Sequence, residues 1–225
     1  PDMDLNIKSR QLHLPGNRHL SGLMARGQIN KESLAIKVAI ENYAEHEKTL
    51  INHLNLEANG KISDHILLAK VQIHDKTKIQ LKAAGGVDVK TPLSSLRWNG
   101  QLTELSSSGK IPIRLMSPTK VSISPEQASL GQTTFSISDG HIHIDQLQWT
   151  PQDWKTRGNF TGIALLPGEH PELKQPFLHL GGHWDFTSNT QLTGNLHIHR
   201  EKGDWYLPGE VPQPIGLEIM QLKLA

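Results

Sequence analysis

The side chains best suited to chemistry are 13 histidines, four of which form two His-x-His pairs, His141 with His143 and His197 with His199. Two residues apart on a strand, each pair projects from one face, a spacing that holds Zn²⁺ or Cu²⁺ when a third ligand converges. Both pairs alternate with isoleucines that take the apolar side, so the favoured reading is a solvated face shared with Ser136 and Ser138. Asp145, Asp153, Asp185, Glu201 and Asp204 stand near turns, where carboxylates satisfy local backbone donors. Spacing alone does not show a glycosidase-type pair across a cleft. No Gly-x-Ser-x-Gly elbow, phosphate-binding glycine loop or His-Glu-x-x-His occurs. Trp98, Trp149, Trp154, Trp184 and Trp205 lie near turns or strand ends, read as plugs sealing the sheet ends rather than stacking platforms for sugars or bases. The sequence therefore points to a non-enzymatic protein and calls for no cofactor or metal.

The elements that would position these groups are strands. Apolar residues recur at every second position: Leu34, Ile36, Val38 and Ile40; Ile111, Ile113 and Leu115; Val121 and Ile123; Phe135 and Ile137; Ile142 and Ile144; Leu196 and Ile198. Successive strand side chains point to opposite faces, so this period predicts an all-β, mainly antiparallel sheet with one aliphatic and one wet face. About 12 strands at roughly 4.8 Å would extend about 55 Å. Residues 41–54 have helix-forming composition, with Tyr43, Leu50 and Leu54 in a ragged stripe, and helix is the minor reading there. A short helical turn is expected at Ser124-Pro125-Glu126-Gln127, where Ser precedes Pro at the first helical position.

Turn signals run the whole length: Pro15-Gly16-Asn17, Asn59-Gly60, Gly85-Gly86, Asp139-Gly140, Pro167-Gly168, Gly181-Gly182, Lys202-Gly203 and Pro208-Gly209. A two-residue Asp139-Gly140 loop would pair Ser138 with His141, Ile137 with Ile142 and Phe135 with Ile144. Apolar parity then switches to Leu147 and Trp149, which predicts a bulge near Gln146. A turn at Lys202-Gly203 would set Ile198 opposite Leu207 and Arg200 opposite Trp205. The stretch 84–97 is either a sub-boundary or, the preferred reading, a loop within one continuous sheet.

With 23 basic and 22 acidic residues, formal charge +1, the chain carries no electrostatic footprint for nucleic acid or an anionic membrane. It has no cysteine, which fits either redox compartment. No apolar run is long enough to span a bilayer. The chain opens at Pro1 and stops at Ala225 within a strand-like run, and is expected to be a segment of a longer protein, with any anchor or export signal outside it.

The aliphatic face has two readings. A second sheet covering it would make a sandwich core. Left open in a folded-over sheet, it becomes a gutter for acyl chains, where each buried methylene contributes roughly 0.8 kcal/mol and a 16-carbon chain on the order of 10 kcal/mol. The residues assigned to such a gutter are Leu34, Ile36, Val38, Ile40, Ile111, Ile113, Leu115, Val121, Ile123, Phe135, Ile137, Ile142, Ile144, Leu196, Ile198 and Leu207.

Three stretches carry a family resemblance. LRWNGQLTELSSSGKIPIRLMSP (96–118) is similar to the TamB-family pattern of a Trp-x-Gly-x-Leu strand, a spacer and a strand ending in Leu-x-x-Pro. ASLGQTTFSISDGHIHIDQLQWTP (128–151) resembles that family's next strand pair, with Gly131, Gly140 and Trp149 in place. LGGHWDFTSNTQLTGNLHIHREKGDWYL (180–207) resembles its Gly-Gly-x-Trp-Asp, Leu-x-Gly and Arg-Glu-x-x-Gly-Asp series. Residues 1–95 share only its texture. The resemblance implies a periplasmic segment of an inner-membrane-anchored protein of Gram-negative bacteria, with the outer-membrane barrel TamA as partner. It also implies a taco-shaped apolar β-groove shared with AsmA-like, bridge-like lipid carriers. Phospholipid acyl chains would be its cargo, with membrane contact through segments outside this one and no enzymatic activity. Two rival expectations stand beside it: a chaperone-like scaffold presenting sheet edges to nascent outer-membrane strands, and a secreted β-sandwich enzyme or sugar-binding module built on the tryptophans and histidine pairs.

Overall fold

The computed structural model of the chain describes residues 2–30, 32–46, 48–73, 77–87, 96–109, 111–165, 178–204, 206–207 and 213–224. The described residues form nineteen strands and no helix. Seventeen strands belong to one antiparallel sheet, and the chain divides into two compact units, Pro1–Pro125 and Glu126–Ala225.

In the first unit the strands are β1 (Met3–Leu14), β2 (Arg18–Ile29), β3 (Ser33–Ile40), β4 (Asn42–Glu45), β5 (Lys48–Lys61), β6 (Asp64–Ile73), β7 (Lys78–Val87), β8 (Trp98–Ser108), β9 (Ile113–Leu115) and β10 (Thr119–Ile123). They run as a meander. β3 and β4 lie end to end between β2 and β5, and β9 and β10 lie end to end along β8. The second unit repeats the plan. β11 (Ala128–Leu130) and β12 (Thr133–Ile137) share one side of β13 (Gly140–Trp149), followed by β14 (Trp154–Leu165), β15 (Leu178–Ser188), β16 (Leu192–Gly203) and β19 (Ile219–Leu224). β17 (Tyr206–Leu207) and β18 (Gln213–Pro214) make a separate two-stranded ribbon. Lanes split by bends raise the strand count above the expected dozen.

Asn42–Glu45 and residues 48–54 are strand, not helix. Leu50 and Leu54 are four apart, a spacing that both periods satisfy. The expected bulge is present: pairing between β13 and β14 jumps from Ile144 to Gln146, leaving Asp145 unmatched. Of the stretch 84–97, residues 84–87 belong to β7, which pairs with β8, and residues 88–95 lie outside the described residues.

Several expectations fail for one reason: glycines that read as turn formers in the sequence serve close packing in the structure. Asn59-Gly60, Gly85-Gly86 and Gly181-Gly182 all lie inside strands. A Cβ on Gly85 would stand 2.3 Å from the Asn99 carbonyl oxygen, and one on Gly182 2.2 Å from that of His197. Gly140 is likewise a strand residue, its Cβ position 2.5 Å from the Gly162 carbonyl oxygen. The hairpin loop is therefore Ser138-Asp139, with Ser138 at φ 50°, and it pairs Ile137 with Gly140, Phe135 with Ile142 and Thr133 with Ile144. The slide changes each pairing sum by two, so every side chain keeps its predicted face.

The chain does not reverse at Lys202-Gly203. β16 pairs with β19, so Ile198 faces Met220 rather than Leu207, and Leu207 pairs with Gln213 in the ribbon. Arg200 is bound to Asp204 at 2.7 Å; Trp205 lies outside the described residues, as do Pro167-Gly168 and Pro208-Gly209. Ser124–Gln127 is a bend between strands, not a helical turn.

Candidate functional site

Register shows which side chains share a face, because directly opposed residues of antiparallel strands point the same way. In the first unit one lane reads Leu5, Gly27, Ile36, Ala58, Leu67, Ala83, Leu102 across seven neighbouring strands. Beside it runs Ile7, Ala25, Val38, Leu56, Ala69, Leu81, Leu105. A third lane carries Ile40, Leu54, Val71, Ile79, Ser107 and Ile113. Val121 and Ile123 join this face opposite Gly100 and Trp98. Leu102 and Leu105 differ in parity yet share the face because Thr103 is a bulge, its hydroxyl donating to the Lys82 carbonyl at 3.1 Å.

In the second unit the lanes are Phe135, Ile142, Phe160, Gly182, Ile198, Met220 and Thr133, Ile144, Gly158, Trp184, Leu196, Leu222. Rings fill the space over glycines: Trp184 over Gly158, Phe160 over Gly182, Trp98 over Gly100 in the first unit. Phe160 and Trp184 stack at 6.4 Å, and the Trp184 indole N–H donates to Thr156 Oγ1 at 3.0 Å. Trp98 and Trp184 thus close gaps in the aliphatic surface, while Trp149 faces Trp154 near the turn joining β13 and β14. At the far end of this face, Arg200 and Asp204 neutralise each other.

These faces are incompletely covered. Among the described residues only Ala25, Ala44, Ala83, Leu102, Leu115, Leu178 and Leu180 are buried apolar residues. Leu34, Ile36, Val38, Ile40, Ile113, Val121, Phe135, Ile137, Ile142, Ile144, Leu196 and Ile198 are all half-buried. Ile123 is 52% exposed; Ile111, at 57%, lies in a bend ahead of β9 rather than in the strand expected for it. Leu207 belongs to the ribbon, and its side chain is outside the description. The sequence reading assigns no groove residue to β5, β6, β7 or β8 and misses the aromatic–glycine seats. Leu54, Leu56 and Ala58 did alternate, and β6 was a short apolar run without a clean two-residue period.

The opposite face is polar. Thr134, His143, Asn159, His183, His197 and Gln221 form one lane across it, so both His-x-His pairs lie on the face assigned to them. The His183 and His197 rings stack at 5.0 Å and 13°, and no three His, Asp or Glu among the described residues group to hold a metal. His143 links Thr134 Oγ1 at 2.8 Å to Asp145 at 3.3 Å. This is a hydroxyl–imidazole–carboxylate series on the polar strand surface. A depression of about 440 Å³ over β1, β2, β3 and β5 is lined by Asp4, Asn6, Arg26, Gln28, Lys37, Glu57 and Asn59, together with Leu5, Gly27, Ala35 and Ile36. Lys37 binds Glu57 at 2.8 Å and holds its carboxyl below the usual glutamate range; Glu45, hydrogen-bonded at 3.1 Å, raises the Arg18 guanidinium.

No helix among the described residues is long and apolar enough to cross a membrane. Comparison with protein-family models, curated proteins and solved structures finds no match to this chain.

Proposed function

We propose that the chain is a non-enzymatic segment of a lipid conduit, carrying phospholipid acyl chains along the aliphatic face of its sheet, which curves into an open, taco-like groove. One observation carries the reading: lanes made mostly of aliphatic and aromatic side chains, with small residues between them, run across neighbouring strands, and most of their large members remain half-exposed, where a covering β layer would leave core exposures of a few per cent. Such a surface is selective for hydrocarbon and indifferent to the headgroup. The resemblance of residues 96–225 to the TamB family supports the same reading. It extends it to a periplasmic, inner-membrane-anchored protein that works with the barrel TamA in outer-membrane biogenesis.

The test is mass spectrometry of lipids that copurify with the chain and with its Ile142→Asp and Ile36→Asp variants. Phospholipid on the parent, lost from folded variants, is the expected result. A lipid-free parent, or folded variants that keep their load, would overturn the assignment.

A further inference from the structure

His183 and His197 are directly opposed on β15 and β16, and His199 follows two residues along β16 on the same polar face. Their ring centres stand 5.0 Å apart between His183 and His197 and 6.0 Å apart between His197 and His199. Two imidazoles on one tetrahedral ion, with Zn–N bonds of about 2.1 Å, hold their centres roughly 5 Å apart. Strand pairing thus supplies the third imidazole that the His197-x-His199 spacing lacks by itself. Nδ1 of His197 is buried and has no hydrogen-bond partner among the described residues. His199 has a carboxylate behind it: its Nε2 faces Glu201 Oε1 at 4.0 Å, and the other carboxylate oxygen accepts the Gly162 N–H at 2.7 Å. A Cβ on Gly181, opposite His199, would collide with that carboxylate and with the ring, so the glycine makes room for both. A carboxylate held against one ring nitrogen orients the other toward a metal.

We propose that His183, His197 and His199 bind one borderline divalent cation, of the Zn²⁺ and Cu²⁺ class, which crosslinks β15 to β16, with Glu201 positioning His199. An all-imidazole set suits these ions and not Mg²⁺ or Ca²⁺, which take oxygen. Before the ion arrives the rings are not converged as a three-ligand set, and His183 and His197 lie within 13° of parallel. Binding turns the rings about their Cβ–Cγ bonds, a broad torsion for imidazole, and exchanges the stack for metal bonds. The other pair is differently placed. His143 is engaged by Thr134 Oγ1 at 2.8 Å and Asp145 at 3.3 Å, and the residue opposite it on β14 is Asn159. The site lies on the face opposite the aliphatic lanes and is independent of what occupies them.

The test is isothermal titration calorimetry of the metal-free 225-residue chain with zinc chloride. One ion per chain should bind. His183→Gln, His197→Gln and His199→Gln should each weaken it about tenfold or more, while the His141→Gln, His143→Gln double variant should bind as the parent does. His183 is exposed, so its variant leaves the packing intact and makes the decisive comparison. Glu201→Gln keeps an acceptor for the Gly162 N–H and should weaken Zn²⁺ about tenfold while leaving thermal unfolding of the metal-free chain unchanged. Zn²⁺ should raise the unfolding temperature of the parent and not that of His183→Gln. Absence of saturable binding, binding that survives His183→Gln, or equal loss in the His141→Gln, His143→Gln variant would overturn the proposal.

Discussion

The indole N–H of Trp98 donates to Nε2 of His65 at 3.0 Å, while Nδ1 of the same ring meets the carbonyls of Lys61 and Ile62 at 3.0 and 3.2 Å. His65 is 5% exposed, and this partner set requires a neutral ring with its proton on Nδ1. The interlock ties the turn between β5 and β6 to the start of β8, with the indole lying over Gly100. Trp98→Phe keeps a ring over the glycine but strands a buried acceptor, and should cost about 1–3 kcal/mol in urea unfolding. Gly100→Ala places a Cβ 2.5 Å from the indole edge and should be as damaging. The same Cβ would also stand 2.4 Å from the Ala84 carbonyl oxygen, a clash that Trp98→Phe leaves in place, so the Trp98→Phe, Gly100→Ala pair should fall short of the sum of its parts only by the relieved indole contact. Additive losses would show that the ring and the glycine are independent.

Thr133 is 3% exposed, and its hydroxyl has no hydrogen-bond partner among the described residues. On the neighbouring residue, Thr134 Oγ1 bonds His143 at 2.8 Å. Val is nearly isosteric with Thr, so the same substitution should act in opposite directions. Thr133→Val should stabilise by about 1 kcal/mol by removing an unmet polar group, and Thr134→Val should destabilise by about 1 kcal/mol. Equal effects from the two in chemical unfolding would contradict the partner assignment.

Glu57 titrates below the usual glutamate range because Lys37 hydrogen-bonds its carboxylate at 2.8 Å on an exposed strand surface. A depressed folded-state value means that the stabilisation is present above the unfolded glutamate range and is lost as pH falls through the folded value. Lys37→Gln should move the Glu57 carboxyl carbon titration upward by NMR and abolish that acid-side slope. An unchanged titration would mean the pair does not persist in solution.

The face of each side chain was legible in the sequence where strands alternate without interruption, as in Leu34 to Ile40 and Ile142 to Ile144, because a period of two leaves only two choices. Pairing was less legible. Gly140 and Gly182 read as turn formers, yet each is required where a neighbouring backbone approaches within 2.5 Å of its Cβ position. That requirement exists only after residues 15 and 22 apart in sequence, Gly182 with His197 and Gly140 with Gly162, have met. The Ile198 and Leu207 assignment failed similarly: Lys202-Gly203 has the composition of a hairpin loop, but β16 finds its partner in β19. The aromatic seats were half-visible, since Trp98 and Gly100 are two apart on one strand while Trp184 and Gly158 meet only across strands.

The bulge at Thr103 makes the proposed lipid face of β8 testable residue by residue. Trp98, Gly100 and Leu102 point to the aliphatic side; past the bulge, Leu105 and Ser107 do so, with Glu104 and Ser106 on the polar side. A photo-crosslinking side chain placed singly from 98 to 107 in cells should therefore capture lipid at 98, 100 and 102, then at 105 and 107. The single phase jump falls at 103. Capture continuing at 104 and 106 would mean the strand alternates without a bulge. Capture on both parities would mean that hydrocarbon does not select this face, because a tail held against one side of a pleated sheet cannot reach side chains that leave the other.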